Sequence, residues 1–410
     1  MIKLALRNVL RQKKRSALST ISIICGVAVI IFSRGFVGGI KENIIRAQVD
    51  SMSGHVMARA ADYPTSGVNH PVDVLVDVDE ATAAWLDREA EAWTSRLIFS
   101  PRVVIGADSM RARGIGFDPA TDEAVFPRTT WEVLGEVPQD ADDGVLVGSS
   151  LARLLQLDVG DELVLETRTS AGALNAMSMP VSGIVRTANP AIDMIGMFMH
   201  MDLAQELVRA DGLGTHLAVR LSDRNDAPRV AEALSSKLGA EIDTIGWEEE
   251  TRALTEIQDI RQKIMDFFAL SLFAMAATGI ANTVLMAAYE RIREIGTMRA
   301  LGMTRGAVVR LFVAEGLVMG VIGSLVGATL AAWGTWYFSV NGIDMTAMID
   351  QAAQQGTYNN IPFTLILFME FNKLYIAVGA LFGVLVAVLA SIYPAFVASK
   401  LRPADAIKAN

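Results

Sequence analysis

Four apolar runs, at 17–37, 264–289, 311–340 and 374–399, limit what this chain can fold into. Each reaches the roughly 20 residues that an α-helix needs to cross a hydrocarbon core of about 30 Å. Charges are nearly absent from their central parts, so they are expected to be transmembrane helices. A cleaved leader is the alternative for the first run, but Ser33, Arg34 and Gly35 make a poor small-residue cleavage site. Hydrophobic residues make up 52% of the 410, a modest excess that these runs account for. The single cysteine, Cys25, lies within the first run and excludes a disulfide inside one chain. A net charge of −9 argues against a nucleic-acid partner.

Bases near the span ends set the expected orientation. Lys3, Arg7, Arg11, Lys13, Lys14 and Arg15 precede the first span. Arg291, Arg293, Arg299, Arg305 and Arg310 lie between the second and third. Lys400, Arg402 and Lys408 follow the fourth. All three segments are therefore expected in the cytoplasm, which puts both termini there. The segment 38–263 and the short loop 341–373, with Asp344, Asp350 and Glu370, are expected on the opposite side. Trp333, Trp336, Tyr337 and Tyr375 fall at that outer interface, and Tyr289 and Tyr393 at the inner one, where aromatic rings favour the headgroup level. Within 1–16, Ile2, Leu6, Val9 and Leu10 share a helical face, which predicts a helix lying on the inner leaflet among membrane lipids.

The segment between the first two spans mixes strand and helix signals. Strands are expected at 54–61, 72–78, within 97–117, at 179–185, 217–221 and 241–245. Helices are expected at 80–92 and at 226–238, the second opened by Asp226 as cap. Together they predict an α+β domain with an inserted mainly-β subdomain from about Gly106 to Gly214. Gly38 and Gly39 are candidate kink points beyond the first span. The stretch 248–289 reads as one helix of 42 residues, ~60 Å long at 1.5 Å per residue, long enough to stand beyond the bilayer as a stalk.

Glycines mark helix contacts. Gly316, Gly320, Gly323 and Gly327 recur at helical spacing in the third span, and Gly379 and Gly383 in the fourth; small residues let backbones approach closely in lipid. Catalytic signals are missing. The histidines His55, His70, His200 and His216 form no metal pair, Asp140, Asp142 and Asp143 lack an EF-hand spacing, and there is no phosphate-binding Gly-rich loop with its lysine. No metal or cofactor site is expected in the chain, and no enzyme activity. Glu315 and Asp266, near span ends, are expected to be structural, Glu315 by pairing with an arginine of the adjacent loop.

The loop 290–310 is the most informative stretch. Ile292, Ile295, Met298 and Leu301 give a short charged helix an apolar edge, suited either to docking on a partner or to covering the base of the bundle. Here the sequence resembles the FtsX-like, MacB-type permeases of ABC transporters. The likeness lies in Glu294, Ile295 and Gly296, in Arg299, Ala300, Leu301 and Gly302, in Glu315 and Gly316, in Tyr393, Pro394 and Ala395, and in Leu401, Arg402, Pro403 and Ala406. The four-span plan matches too. Ser53, Gly54, His55 and Val56 look most like the lipoprotein-releasing LolC/LolE branch.

The resemblance implies a permease in the bacterial inner membrane, working as a dimer with a second copy or a paralogue. A separate cytoplasmic ATPase would bind ATP and Mg. Arg293, Glu294, Ile295, Gly296, Met298, Arg299, Ala300, Leu301 and Gly302 would form the coupling helix seated on it. Motion would pass through stalks to the periplasmic domain and act on lipoproteins in the outer leaflet, with a periplasmic carrier receiving them. Two other outcomes within the resemblance are MacB-like efflux of peptides or toxins through an adaptor, and FtsX-like signalling to a cell-wall hydrolase.

Overall fold

A computed structural model describes residues 13–63, 71–72, 75–105, 108–187, 189–210, 214–344 and 366–400. Most of the expected surface helix at 1–16, the tail beyond Lys400 and much of the loop 341–373 lie outside them. The chain divides into two compact units, Ile44–Thr255 and the remainder.

The first unit to be described is helical. Its long elements are α1 (Lys13–Gln48), α9 (Arg252–Glu290), α11 (Arg305–Asn341) and α12 (Lys373–Ser399), with the short α10 (Ile292–Ala300) between α9 and α11. The four long helices are each apolar and long enough to cross a membrane. α1 runs as one helix through the candidate kink points Gly38 and Gly39. The 42-residue helix is shortened, because α8 (Trp247–Glu250) ends at Thr251 before α9 begins at Arg252. Ile23, Val27, Ile31, Phe273, Ile280, Phe312, Met319 and Ala387 form the core of this unit.

The unit Ile44–Thr255 is built on a mixed sheet. Its strands are β1 (Val56–Ala60), β2 (Ala92–Phe99), β3 (Arg102–Ile105), β4 (Asp108–Arg111), β5 (Arg113–Phe117), β6 (Glu132–Gly135), β7 (Val145–Gly148), β8 (Glu162–Arg168), β9 (Leu174–Arg186), β10 (Gly196–His200), β11 (His216–Arg220) and β12 (Ile242–Gly246). Their order is β12-β1-β11-β2-β5-β10-β7-β9-β8-β3-β4, with β6 also on β9. Pairs are antiparallel except β5 with β10 and β7 with β9. The helices are α2 (Glu80–Glu89), α3 (Pro119–Val125), α4 (Ser149–Leu155), α5 (Pro190–Ile195), α6 (Met201–Val208) and α7 (Ala227–Leu238).

Local chemistry explains these elements. β1 is buried at every residue, and its one charged side chain, Arg59, pairs with Glu250 at 3.3 Å. β8 alternates exposed and buried residues, as a half-solvated strand must. β9 does both: its first half alternates and pairs with β8, and from Val181 it is mostly buried between β7 and β6. Asp79 caps α2 by accepting from the Thr82 amide at 2.8 Å. Asp226, the expected cap of α7, makes no side-chain cap bond; Asp223 caps the preceding turn instead. Among the described residues of the expected strand at 72–78, Val76 pairs with Gly214 in an isolated bridge.

Candidate docking loop, helix seams and domain collar

α10 divides its apolar edge between the core and the surface. Ile295 is buried in the helical core and Met298 packs against it, so these two cover the bundle base. Gly296 is buried beside them. Leu301 points the other way and is 84% exposed, with Arg293, Glu294, Ala300 and Gly302 also on the surface. Gly302 takes a positive φ of 99°, which closes the turn after Leu301. Arg299 is half-buried. Thr304 then caps α11 through the Ala307 amide.

A brace holds this loop. Arg291 donates from Nε to Glu294 at 3.1 Å and from Nη1 to Glu315 on α11 at 3.1 Å. Glu315 is nearly buried, and its expected pairing with a loop arginine is present. A carboxylate in an apolar setting needs such a charge-assisted partner. The outward face of α10 is thus fixed relative to α11 by one ion-pair relay.

The seams explain the glycines. A Cβ at Gly316 would meet Ser391 Cβ at 2.6 Å, and one at Gly320 would meet Ala387 Cβ at 2.7 Å, both on α12. Gly323 and Gly327 instead admit α1, where added Cβ atoms would lie 2.9 Å from Ile23 Cβ and 2.7 Å from the Ile24 carbonyl. Gly379 and Gly383 on α12 receive Ile31 and Val27 of α1. The row on α11 therefore serves two partners, α12 at Gly316 and Gly320 and α1 at Gly323 and Gly327, and α1 packs against both helices.

α9 runs antiparallel to α1. Four contacts keep step: Ser19 Oγ with Thr283 Oγ1 at 2.8 Å, Gly26 with the Phe273 ring, Arg34 with Asp266 at 2.7 Å, and Lys41 with Asp259 at 2.8 Å. Asp266 was expected to be structural, and Arg34 is the partner the sequence reading missed. The signal was there: a lone arginine at the end of an apolar run needs an acid nearby.

In the unit Ile44–Thr255, a polar collar grips the π-turn Val49–Ser53 that follows α1. Arg96, 1% exposed, donates to the Ser51 carbonyl at 2.7 Å and holds Asp122 by two bonds of 2.6 and 2.9 Å. Its guanidinium stacks 3.4 Å from the centre of the Phe126 ring. Asn189 donates to Ser51 Oγ at 3.0 Å and to Gln48 at 3.3 Å. Arg220 reaches Asp50 at 3.0 Å. Gly54, with φ of 62°, then turns the chain into β1 where a Cβ would lie 2.8 Å from the Val219 carbonyl. His55 accepts from the Leu221 amide at 2.9 Å, and burial pushes its pKa down, so the ring is neutral. Ser53, Gly54, His55 and Val56 are therefore a stitch between the turn and the sheet. Among the described residues, no group of three His, Cys, Asp or Glu side chains is placed to hold a metal.

Comparison with known proteins agrees with this layout. The FtsX-like permease C-terminal family matches residues 267–403, and the MacB-like periplasmic core domain matches residues 16–237. The lipoprotein-releasing system transmembrane protein LolC of Xylella fastidiosa is 25% identical, over 97% of this chain and 96% of its own. An uncharacterised ABC transporter permease of Methanocaldococcus jannaschii is 24% identical over 56% of this chain and 54% of its own. Among solved structures, the periplasmic region of MacB from Actinobacillus actinomycetemcomitans is similar at a TM-score of 0.34 and 11% identity, over 52% of this chain and 98% of that one. The chain belongs to the FtsX-like family of ABC transporter permeases that carry a MacB-like periplasmic core domain.

Proposed function

We propose that this chain is the membrane subunit of a transporter in which a separate cytoplasmic ATPase drives movement of the periplasmic domain. The observation that carries the reading is α10, with its inner edge anchored by Ile295 and its outer tip, Leu301, left bare. An apolar knob flanked by Arg293 and Glu294 suits a groove on a partner. ATP and Mg then belong to that partner, and this chain supplies coupling without catalysis.

The flanking bases support an inner-membrane protein with both termini in the cytoplasm. α1 and α9 act as stalks, and the unit Ile44–Thr255 is the periplasmic body. The inserted mainly-β subdomain, from about Gly106 to Gly214, would take in β4, β8 and the first half of β9. The working unit is a dimer with a second copy or a paralogue. Likeness to LolC over nearly the whole chain supports extraction of lipoproteins from the outer leaflet as the cargo step, with release to a periplasmic carrier. The MacB-like core domain supports a second reading, efflux through an adaptor.

Affinity purification of the tagged full chain in detergent with trapped ATP tests both. The expected catch is an ATPase with acylated lipoproteins. An ATPase with an adaptor moves the reading to efflux, and one with a cell-wall hydrolase to FtsX-like signalling. Leu301→Glu is expected to abolish ATPase recovery with insertion intact, and Gly296→Pro to do the same by breaking α10. Normal recovery with both variants would sink the coupling role of α10.

A further inference from the structure

Beyond β13 (Ile343–Asp344) and β14 (Ile366–Leu367), which pair antiparallel, the chain lies across α1 at residues 368–370. The Glu370 amide donates to the Gly35 carbonyl at 2.9 Å, and the Met369 amide to the Phe338 carbonyl of α11 at 3.3 Å. Asn43 donates to the Phe368 carbonyl at 3.4 Å. Met369, 3% exposed, is the apolar anchor.

α1 is shaped to receive this strap. A Cβ at Gly35 would lie 3.0 Å from the Glu370 carbonyl, and one at Gly39 would lie 2.8 Å from Met369 Cα. Glycine inside a helix costs roughly 1 kcal/mol against alanine, so Gly35 and Gly39 are an expense that a close contact must offset.

The contacts differ in kind along α1. Between Ile23 and Ile31 the helix interlocks with α11 and α12 through branched side chains set into glycines. From Arg34 to Asn43 it is held by two ion pairs to α9, by one backbone bond and one amide bond to the strap, and by the strap's single apolar anchor, Met369. An interlocked seam of many apolar side chains resists separation, whereas one apolar anchor and a few hydrogen bonds cost less to open. The strap can therefore lift while the seam below it stays shut.

We infer that residues 368–370 are a latch on α1: seated, they hold the Arg34–Asn43 stretch in its resting position, and each transport cycle lifts them. This rests on the reading of the chain as an ATP-driven permease. The test joins Asn43→Cys to Phe368→Cys with a short bifunctional methanethiosulfonate, in a Cys25→Ser background and in the complex with its ATPase. Crosslinking is expected to lower ATP turnover at least five-fold, and reductant to restore it. Gly39→Ala, which displaces the strap, is expected to raise turnover several-fold with the ATPase still bound. Equal turnover in crosslinked and reduced complexes, with Gly39→Ala unchanged, overturns the latch alone. Failure of the unmodified chain to recover any ATPase overturns the permease reading, and the latch with it.

Discussion

Asp193 accepts from both the amide and the hydroxyl of Thr187 at 2.8 Å, yet burial outweighs those bonds and pushes its pKa up to about 6. An unfolded Asp titrates near 4, so between these values the folded chain holds a proton that the unfolded chain has lost. The stabilising contribution is full below about pH 4 and falls as pH rises towards 6, by ~3 kcal/mol for about two units. Asp193→Asn keeps the acceptor and removes the charge. The thermal midpoint of the full chain in detergent should rise at pH 7.5 and lose its decline between pH 4.5 and 6.5; an unchanged profile would refute the assignment. Arg96 makes the converse case. Arg96→Ala leaves Asp122 buried without its bidentate partner and should cost about 3–5 kcal/mol in chemical denaturation. Neither residue was legible beforehand. Arg96 sits in a strand where an arginine reads as solvent-facing, and its acid lies 26 residues away on another element.

Helices carry the clearest contrast between spacing and contact. The row from Gly316 to Gly327 announced close packing, but spacing cannot say where one neighbour ends and the next begins. The crossing of α1 over α11 decides that, and crossings arise from the assembled bundle. Gly383→Val should overpack the seam against Val27 and Ser324, with a loss of ~1–3 kcal/mol or more. Gly279→Ala on α9 meets nothing within 4 Å and should be neutral or gain up to ~1 kcal/mol. Thermal unfolding in detergent distinguishes them, and equal effects would refute the seam. The break at Thr251 was hidden for a similar reason. The stretch 248–289 keeps its helical periodicity across Thr251, so spacing alone does not mark the break.

Across the whole molecule, the span count and the mixed domain were legible because the bilayer demands length and burial demands alternation. The pairing of α1 with α9 was not, although its two charged rungs are spaced seven residues apart on each helix. Charge reversal tests that register. Arg34→Asp and Asp266→Arg should each weaken the pair, and the double variant should recover most of the loss, read as detergent stability. A double variant no better than the singles would mean that the rung does not set the register.

α1 touches α9, α11 and α12, and it is made before all three. Its contacts with Gly379 and Gly383 join residues separated by about 350 positions, so they wait for nearly the entire chain to be synthesised and inserted. Biogenesis of this bundle is therefore a closing operation. A nascent chain halted before α12 would present Val27 and Ile31 to lipid as an unfinished seam, and recognition of that seam is where membrane quality control would tell an aborted product from a mature one.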